Sequence, residues 1–341
     1  MKYSILGKTG LSVSRIGFGG IPIQRGDKDA ANKAIMTAYE NGINYIDTAR
    51  GYSVSESYIG QSLMQIRKNI ILATKSPALS FDAMTADIDK SLHDLKTDYV
   101  DIYQIHNIKD EKAVDVAFGE NGAMEALYKA QKAGKIRFIG LTSHIKDTLF
   151  YAIKRFEKDI CTIMYPFNIV ETEGSELMKT ATNANIGTLA MKPLGGGNLD
   201  DVQLSIRFIL QNPNINIALM GIGDSVEAEF DAKINCSPLT ENELLQCQQI
   251  RAKLGSTFCR RCNYCAPCAV GIDIPTMFTF QNYLNNYALA NWAINRYQSM
   301  KVDANACIKC GVCETRCPYN INIRERIAKV AIDFNKAINN K

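Results

Sequence analysis

Eight of the eleven cysteines fall between residues 259 and 317, in the runs CRRCNYCAPC (259–268) and CIKCGVCETRCP (307–318). The first run holds Cys259, Cys262, Cys265 and Cys268, each two residues from the next. The second holds Cys307, Cys310 and Cys313 at the same spacing, then Cys317 with Pro318 directly after it. Thiols this dense tie the fold of their region to whatever they bind. In a reducing compartment they point to metal before disulfides. Cys161, Cys236 and Cys247 stand apart and read as core or surface thiols.

The second run follows Cys-x2-Cys-x2-Cys-x3-Cys-Pro, the bacterial ferredoxin pattern. Three close cysteines reach three irons of one cubane, and the fourth leaves along a helix to a second cluster. The first run lacks the extra residue before its last cysteine, and Pro267 precedes that cysteine. Eight cysteines match two [4Fe–4S] clusters. The expected sets are Cys259, Cys262, Cys265 and Cys317 on one cluster, and Cys307, Cys310, Cys313 and Cys268 on the other. A structural zinc site would instead space two Cys-x2-Cys pairs roughly 12 to 20 residues apart. Four cysteines crowd one run here, and no histidine follows His144.

A chain of 341 residues has room for one large domain and a small one. Hydrophobic residues make up 46% and charged residues 22%, an ordinary globular composition. The net charge of +4 is small for this length and gives no warrant for nucleic-acid or membrane-surface binding, which usually leaves a basic patch or run. The closing stretch RERIAKVAIDFNKAINNK is mixed in sign and amphipathic, as a solvated helix face is. The opening MKYSILGKTGLSVSRIGFGG has no apolar core behind a basic head. No apolar run approaches the roughly 20 residues that span a bilayer. The expected compartment is the cytoplasm.

Before the cysteines, strand-like runs alternate with helical stretches. The runs are RIGFG, INYID, NIILATK, YVDIYQIH, IRFIGLTS, CTIMYPF, IGTLAMK and NIALMGIG. They are apolar almost throughout, as strands buried on both faces are. Helical stretches such as DAANKAIMTAYENG and DDVQLSIRFILQN begin with capping Asp and end in Gly or Asn. Eight evenly spaced units favour an α/β fold, a (β/α)8 TIM barrel, over a doubly wound open sheet. KYSILGKTGLSVS reads as a hairpin laid before the first barrel strand. Composition shifts near TENELLQCQQIRAKLG. The expected domains are a barrel over 1–250 and a small, mainly α ferredoxin-like domain over 251–341.

Catalytic groups of such barrels sit at the C-terminal ends of strands. IDTARGY supplies Asp47 and Tyr52 there, LATKS supplies Lys75, and IYQIHN supplies His106. A lysine on an apolar strand is costly unless paired or functional. Together these residues resemble the aldo-keto reductase family over residues 1 to about 235. Its Asp, Tyr, Lys and His tetrad matches in order, and LGKTGLSVSRIGFGG is similar to its opening hairpin and strand. The resemblance implies carbonyl–alcohol interconversion with NAD(P). Tyr52 would give the proton, its ordinary pKa of about 10 lowered by Lys75. Asp47 would hold Lys75, and His106 would orient the carbonyl.

The resemblance also implies cofactor contacts. GLTSH places Ser143 and His144 where the family grips the nicotinamide amide. KPLGGGNL, with Lys192, Leu194 and Gly195, looks like its pyrophosphate loop. GIGDS, with Gly221, Gly223 and Asp224, leads into a helix N-terminus that suits phosphate. Asn168, in MYPFN, is a further candidate at a strand end. Met191 stands where the family stacks a tyrosine, and Met164 where it uses glutamine. Asp224, Glu227 and Glu229 replace the basic residues that hold a 2′-phosphate, which favours NADH over NADPH. The expected partners are a small carbonyl or alcohol and, if the clusters pass electrons rather than serve structure or cover the barrel mouth, a ferredoxin-like electron carrier. A rival reading is a redox carrier whose barrel only binds nicotinamide.

Overall fold

The eight apolar runs close into one barrel in the computed structural model, which describes residues 1–255 and 257–339. Two strands precede it, β1 (Tyr3–Ile5) and β2 (Ser12–Ser14), paired antiparallel as a hairpin. The barrel strands are β3 (Ile16–Gly19), β4 (Tyr45–Asp47), β5 (Ile71–Ser76), β6 (Val100–Ile105), β7 (Ile136–Thr142), β8 (Thr162–Pro166), β9 (Gly187–Met191) and β10 (Ile217–Gly221). Every neighbour is parallel, and β10 closes on β3 with Ala218 opposite Ile16. The expected TIM barrel is therefore the observed one.

The hairpin plugs the barrel floor. Leu6 and Val13 are fully buried in one apolar cluster with Tyr45, Ile71, Ile102 and Ile217. Gly7 makes the approach possible: its φ is +49°, and a Cβ there would lie 2.3 Å from the Gly187 nitrogen. No other residue type fits that space and that backbone.

Helices cover the barrel strands, and their starts follow the capping chemistry in the sequence. Asp27 accepts from the Ala30 amide, and Asp201 from the Leu204 amide, each at 2.9 Å. Such a cap contributes about 1 kcal/mol. The segment KDEKAVDVAFGENGAM follows β6. It forms the helix Glu111–Phe118, capped by Asp110.

The chain divides into two compact units, Met1–Pro193 with Asp201–Leu239, and Leu194–Asp200 with Thr240–Lys341. The second unit contains the helices Glu241–Leu254, Ile274–Asn285, Ala290–Gln298 and Ile323–Asn339. Residues 340 and 341, the end of the amphipathic stretch, lie outside the described residues. Tyr297 stacks on Phe334 with ring centroids 3.9 Å apart, at the heart of an apolar core with Met277, Ile294, Ile327 and Val330. Trp292 meets Phe280 and Tyr283 edge-on, and Tyr283 meets Tyr287, so these aromatics pack on each other.

The glycine loop belongs to this second unit. Gly195, Gly196 and Gly197 all have positive φ, and the Leu194 carbonyl accepts from the amides of Gly197, Asn198 and Leu199. A Cβ on Gly197 would come 2.9 Å from that of Asn286. Among the described residues no helix is long and apolar enough to cross a membrane.

Candidate functional site

Side chains along a strand alternate between the barrel interior and the helices. Tyr45, Ala73 and Ile102 face the interior cluster. Two residues further along each strand, the same face carries Asp47, Lys75 and Gln104. The register agrees: Asp47 lies opposite Ala73, and Lys75 opposite Gln104. All three are buried. The Lys75 ammonium pairs with Asp47 Oδ1 and donates to the Thr48 carbonyl at 2.9 Å. Gln104 Nε2 donates to Asp47 Oδ2 at 2.9 Å. Burial pushes the Asp47 carboxyl above the ordinary aspartate value, opposed by the Lys75 charge and by both hydrogen bonds.

Gln104 did not stand out in the sequence, where it is one polar residue in an apolar strand. Its position two residues before His106 was the available signal. Gln104→Leu is expected to remove a hydrogen bond to a buried carboxylate and lower stability by about 2 kcal/mol. The readout is the barrel's melting temperature, and an unchanged value would mean Asp47 is held without it.

Tyr52 and His106 complete the group from loops just past β4 and β6. Their rings meet edge to face, with centroids 5.8 Å apart and planes at 87°. The Lys75 ammonium lies 5.0 Å from the Tyr52 ring centroid. The loop bearing Tyr52 is pinned on both sides. Before it, Thr48 bonds Ser55 at 2.8 Å, and Ser55 donates to the Gly20 carbonyl at 2.8 Å. After it, the Glu56 carboxylate takes Arg50 on one oxygen and the Thr74 hydroxyl, at 2.7 Å, on the other. The Arg50 amide in turn donates to the Lys75 carbonyl at 3.0 Å.

Burial first, and then the Lys75 charge, push the His106 imidazole down to about 3. It is therefore neutral at working pH. The unfolded chain takes up a proton on this histidine below about pH 6.5, whereas the folded chain does not until about pH 3. His106 thus contributes stability that is complete above pH 6.5 and lost as pH falls toward 3. Melting temperatures across that window should fall more steeply for the native protein than for His106→Asn. Equal slopes would mean His106 ionises in the fold.

The residues matched to cofactor contacts are mostly engaged within the chain. The buried Ser143 hydroxyl donates to the Ile108 carbonyl at 2.7 Å and accepts from the Ile145 amide at 3.0 Å. One acceptor lone pair is left. His144, half-buried, follows directly. Asn168 uses every position: Nδ2 donates to Glu171 and the Lys192 carbonyl, and Oδ1 accepts from the Val170 and Glu171 amides. It straps the end of β8 to the end of β9. Lys192 sits beyond β9 with φ +56°, whereas Leu194 and Gly195 group with the second unit. Gly221 is exposed at the end of β10. The Gly223 amide donates to Glu227 Oε2 at 2.7 Å, and Glu227 Oε1 takes Arg25 at 2.9 Å. Asp224 caps the helix Ser225–Ala232 by accepting from Val226 and Glu227. Met164 is buried in the interior cluster, and Met191 is half-buried against it.

In the second unit, Cys268, Cys307, Cys310 and Cys313 line one hollow, with apolar walls that include Val270, Ile274 and Ile323. The other four cysteines neighbour one another electrostatically. Cys262 feels Cys259 and Cys317, and Cys265 feels Cys259, Cys262 and Cys313. Burial pushes the Cys265 thiol up to about 12, so a bound metal must displace its proton. Among the described residues no three His, Cys, Asp or Glu side chains are arranged around a single metal ion. A cubane asks for a wider ring, because its four thiolates bind different irons.

Fold and chemistry together define an oxidoreductase barrel joined to an iron–sulfur domain. Residues 15–205 match the aldo/keto reductase family, and residues 258–322 match the 4Fe-4S dicluster domain. The chain belongs to the aldo/keto reductase family and carries that dicluster domain at its C-terminal end. It is 30% identical to the L-galactose dehydrogenase of Arabidopsis thaliana over 214 residues, 58% of this chain and 66% of that enzyme. It is 31% identical to the 6-dehydroglucose reductase of Novosphingobium aromaticivorans over 223 residues, 58% of this chain and 70% of that enzyme. The match thus spans about two thirds of these relatives' own length. The fold is shared with the holo form of aldo-keto reductase AKR11C1 from Bacillus halodurans, at TM-score 0.63 and 23% identity, over 73% of this chain and 96% of that one.

Proposed function

We propose that the barrel interconverts a carbonyl and an alcohol with a nicotinamide cofactor, with Tyr52 as the proton donor. The observation that carries this reading is the Tyr52 ring set against both the Lys75 ammonium and the His106 imidazole. A bound nicotinamide would supply the hydride for the carbonyl carbon. Tyr52 gives its hydroxyl proton to the oxygen. Lys75 stabilises the negative charge that then develops on Tyr52, and Asp47 with Gln104 keeps Lys75 in place. His106, neutral, donates a hydrogen bond that orients the carbonyl and transfers no proton.

The chain's own groups suit a dinucleotide without a 2′-phosphate. Ser143 keeps one lone pair for the carboxamide, beside His144. Lys192, Gly221 and the strand-end backbones are the remaining contacts we assign. At Gly223 and Asp224, carboxylates already take the amides that a further phosphate would need. This supports NADH over NADPH.

For the cysteines we propose two [4Fe–4S] clusters, one on Cys259, Cys262, Cys265 and Cys317 and one on Cys307, Cys310, Cys313 and Cys268. The shared hollow of the second set supports it. A hydride carries two electrons and a cluster passes one, so a hydride does not pass directly to a cluster, and the carbonyl step we assign needs none. Exposure of Cys310, and of Ile308 at 63%, favours electron exchange with a ferredoxin-like partner. Thiols kept for metal need a reducing compartment, and we propose the cytoplasm.

The test is anaerobic NADH and NADPH oxidation against aldehydes, ketones and sugars, the last because two relatives are named for sugar chemistry. Turnover with NADH ahead of NADPH is expected. Binding of both cofactors without turnover would favour the carrier reading.

A further inference from the structure

The surroundings of the two cysteine sets differ in charge. Beside Cys259 lies a polar hollow that it lines with Arg261, Arg326, Thr279, Asn198 and Asn282, all within the second unit and none of them acidic. Arg326 comes from the helix Ile323–Asn339. Its guanidinium lies 4.0 Å from the centre of the Phe278 ring and donates to the Thr257 carbonyl at 2.6 Å. Ring and carbonyl fix its position. Among the described residues no carboxylate lies within ion-pair distance of it. Arg261 donates to the Cys259 carbonyl at 3.2 Å.

The hollow of Cys268, Cys307, Cys310 and Cys313 also has an arginine on its wall, Arg324. That charge is neutralised, because Arg324 is paired with Glu314 through Nε and Nη2, both at 2.8 Å. Lys309 on the same wall is exposed, and water screens its charge. One set therefore faces a half-buried cation without a carboxylate partner, and the other an ion pair, apolar walls and two exposed cations, Lys309 and Arg316, the latter donating to the Pro267 carbonyl at 3.0 Å, whose charges water screens.

A [4Fe–4S] cluster gains one negative charge on reduction, and a fixed nearby cation stabilises the reduced form. We propose that Arg326 makes the cluster on Cys259, Cys262, Cys265 and Cys317 the higher-potential one, so that electrons entering at the exposed Cys310 side settle there. Each step moves one electron from the reduced second cluster to the oxidised first, with no proton and no bond change. The proposal rests on the assignment of two clusters and is independent of the tetrad.

The experiment is an EPR-monitored redox titration of the anaerobic holoprotein, with iron counted in each variant. Two separated waves are expected in the native protein. In Arg326→Gln the upper wave should move down, lowering the reduced-to-oxidised ratio at fixed potential by about tenfold, or about 59 mV for one electron. Arg326→Lys should keep most of the native position, and Arg261→Gln should move the same wave by less. Movement of both waves together, or of neither, would overturn the proposal. Should Arg326→Gln lose iron, the lysine variant and Arg261→Gln carry the test. Iron for only one cluster in the native protein would instead refute the two-cluster assignment.

Discussion

Tyr52→Phe is expected to lower kcat/KM for carbonyl reduction by about a thousandfold while leaving the Kd for cofactor unchanged. The substitution removes only the hydroxyl. The ring that remains still meets His106 edge to face and still lies under the Lys75 ammonium, so packing and charge are preserved. What is lost is the proton source placed beside a buried cation. Lys75→Met would be a poorer probe, because it leaves Asp47 buried without its counter-charge and destabilises the barrel by about 3 to 5 kcal/mol. Steady-state assays alongside cofactor titration separate binding from chemistry. Unchanged turnover in Tyr52→Phe would assign the proton to another group and leave the barrel's strand ends as a structural ion pair.

Cys313→Ser is expected to cost about half of the iron, from about eight to about four atoms per chain, with visible absorbance falling in proportion. Cys313 lines the hollow with Cys268, Cys307 and Cys310, and it packs against the core of the second unit. The remaining four thiols, of which Cys265 also neighbours Cys313, should keep their cluster. Carbonyl turnover should stay within twofold of native, because the hydride step uses no cluster. Cys247→Ser, at a buried thiol outside both cysteine runs, is the control that should leave iron unchanged. Complete loss of iron in Cys313→Ser would make the two sets one cooperative site. Loss of turnover would make the clusters part of the carbonyl chemistry.

The barrel was legible because buried parallel strands must be apolar nearly throughout, and eight such runs recur at even spacing. Asp47 and Lys75 stood out for the same reason, because a charge at the end of an apolar run is conspicuous, whereas Tyr52 and His106 were picked out through the family resemblance. Gln104 was not, since a single amide inside a strand gains meaning only when the register sets it opposite Lys75. The helix Glu111–Phe118 was also missed, because a helix of 8 residues has little periodicity to show. Long-range partners were the least readable. GGGN signals a tight turn, but nothing local tells that it groups with a helix about 80 residues further on. In the same way, DSVEAEFD shows acidic residues without showing that Glu227 folds back onto the Gly223 amide and Arg25.

The most direct test of the account follows a hydride rather than a rate. The anaerobic holoprotein is mixed with NADH deuterated at the transferable position and a simple aldehyde such as 4-nitrobenzaldehyde. Product mass and cluster absorbance are then read from the same sample. One deuterium on the new carbinol carbon, with the cluster absorbance unchanged, is the expected result, and Tyr52→Phe should abolish it. Oxidation of NADH with bleached clusters and no deuterated alcohol would contradict the account and make the barrel a port for electrons.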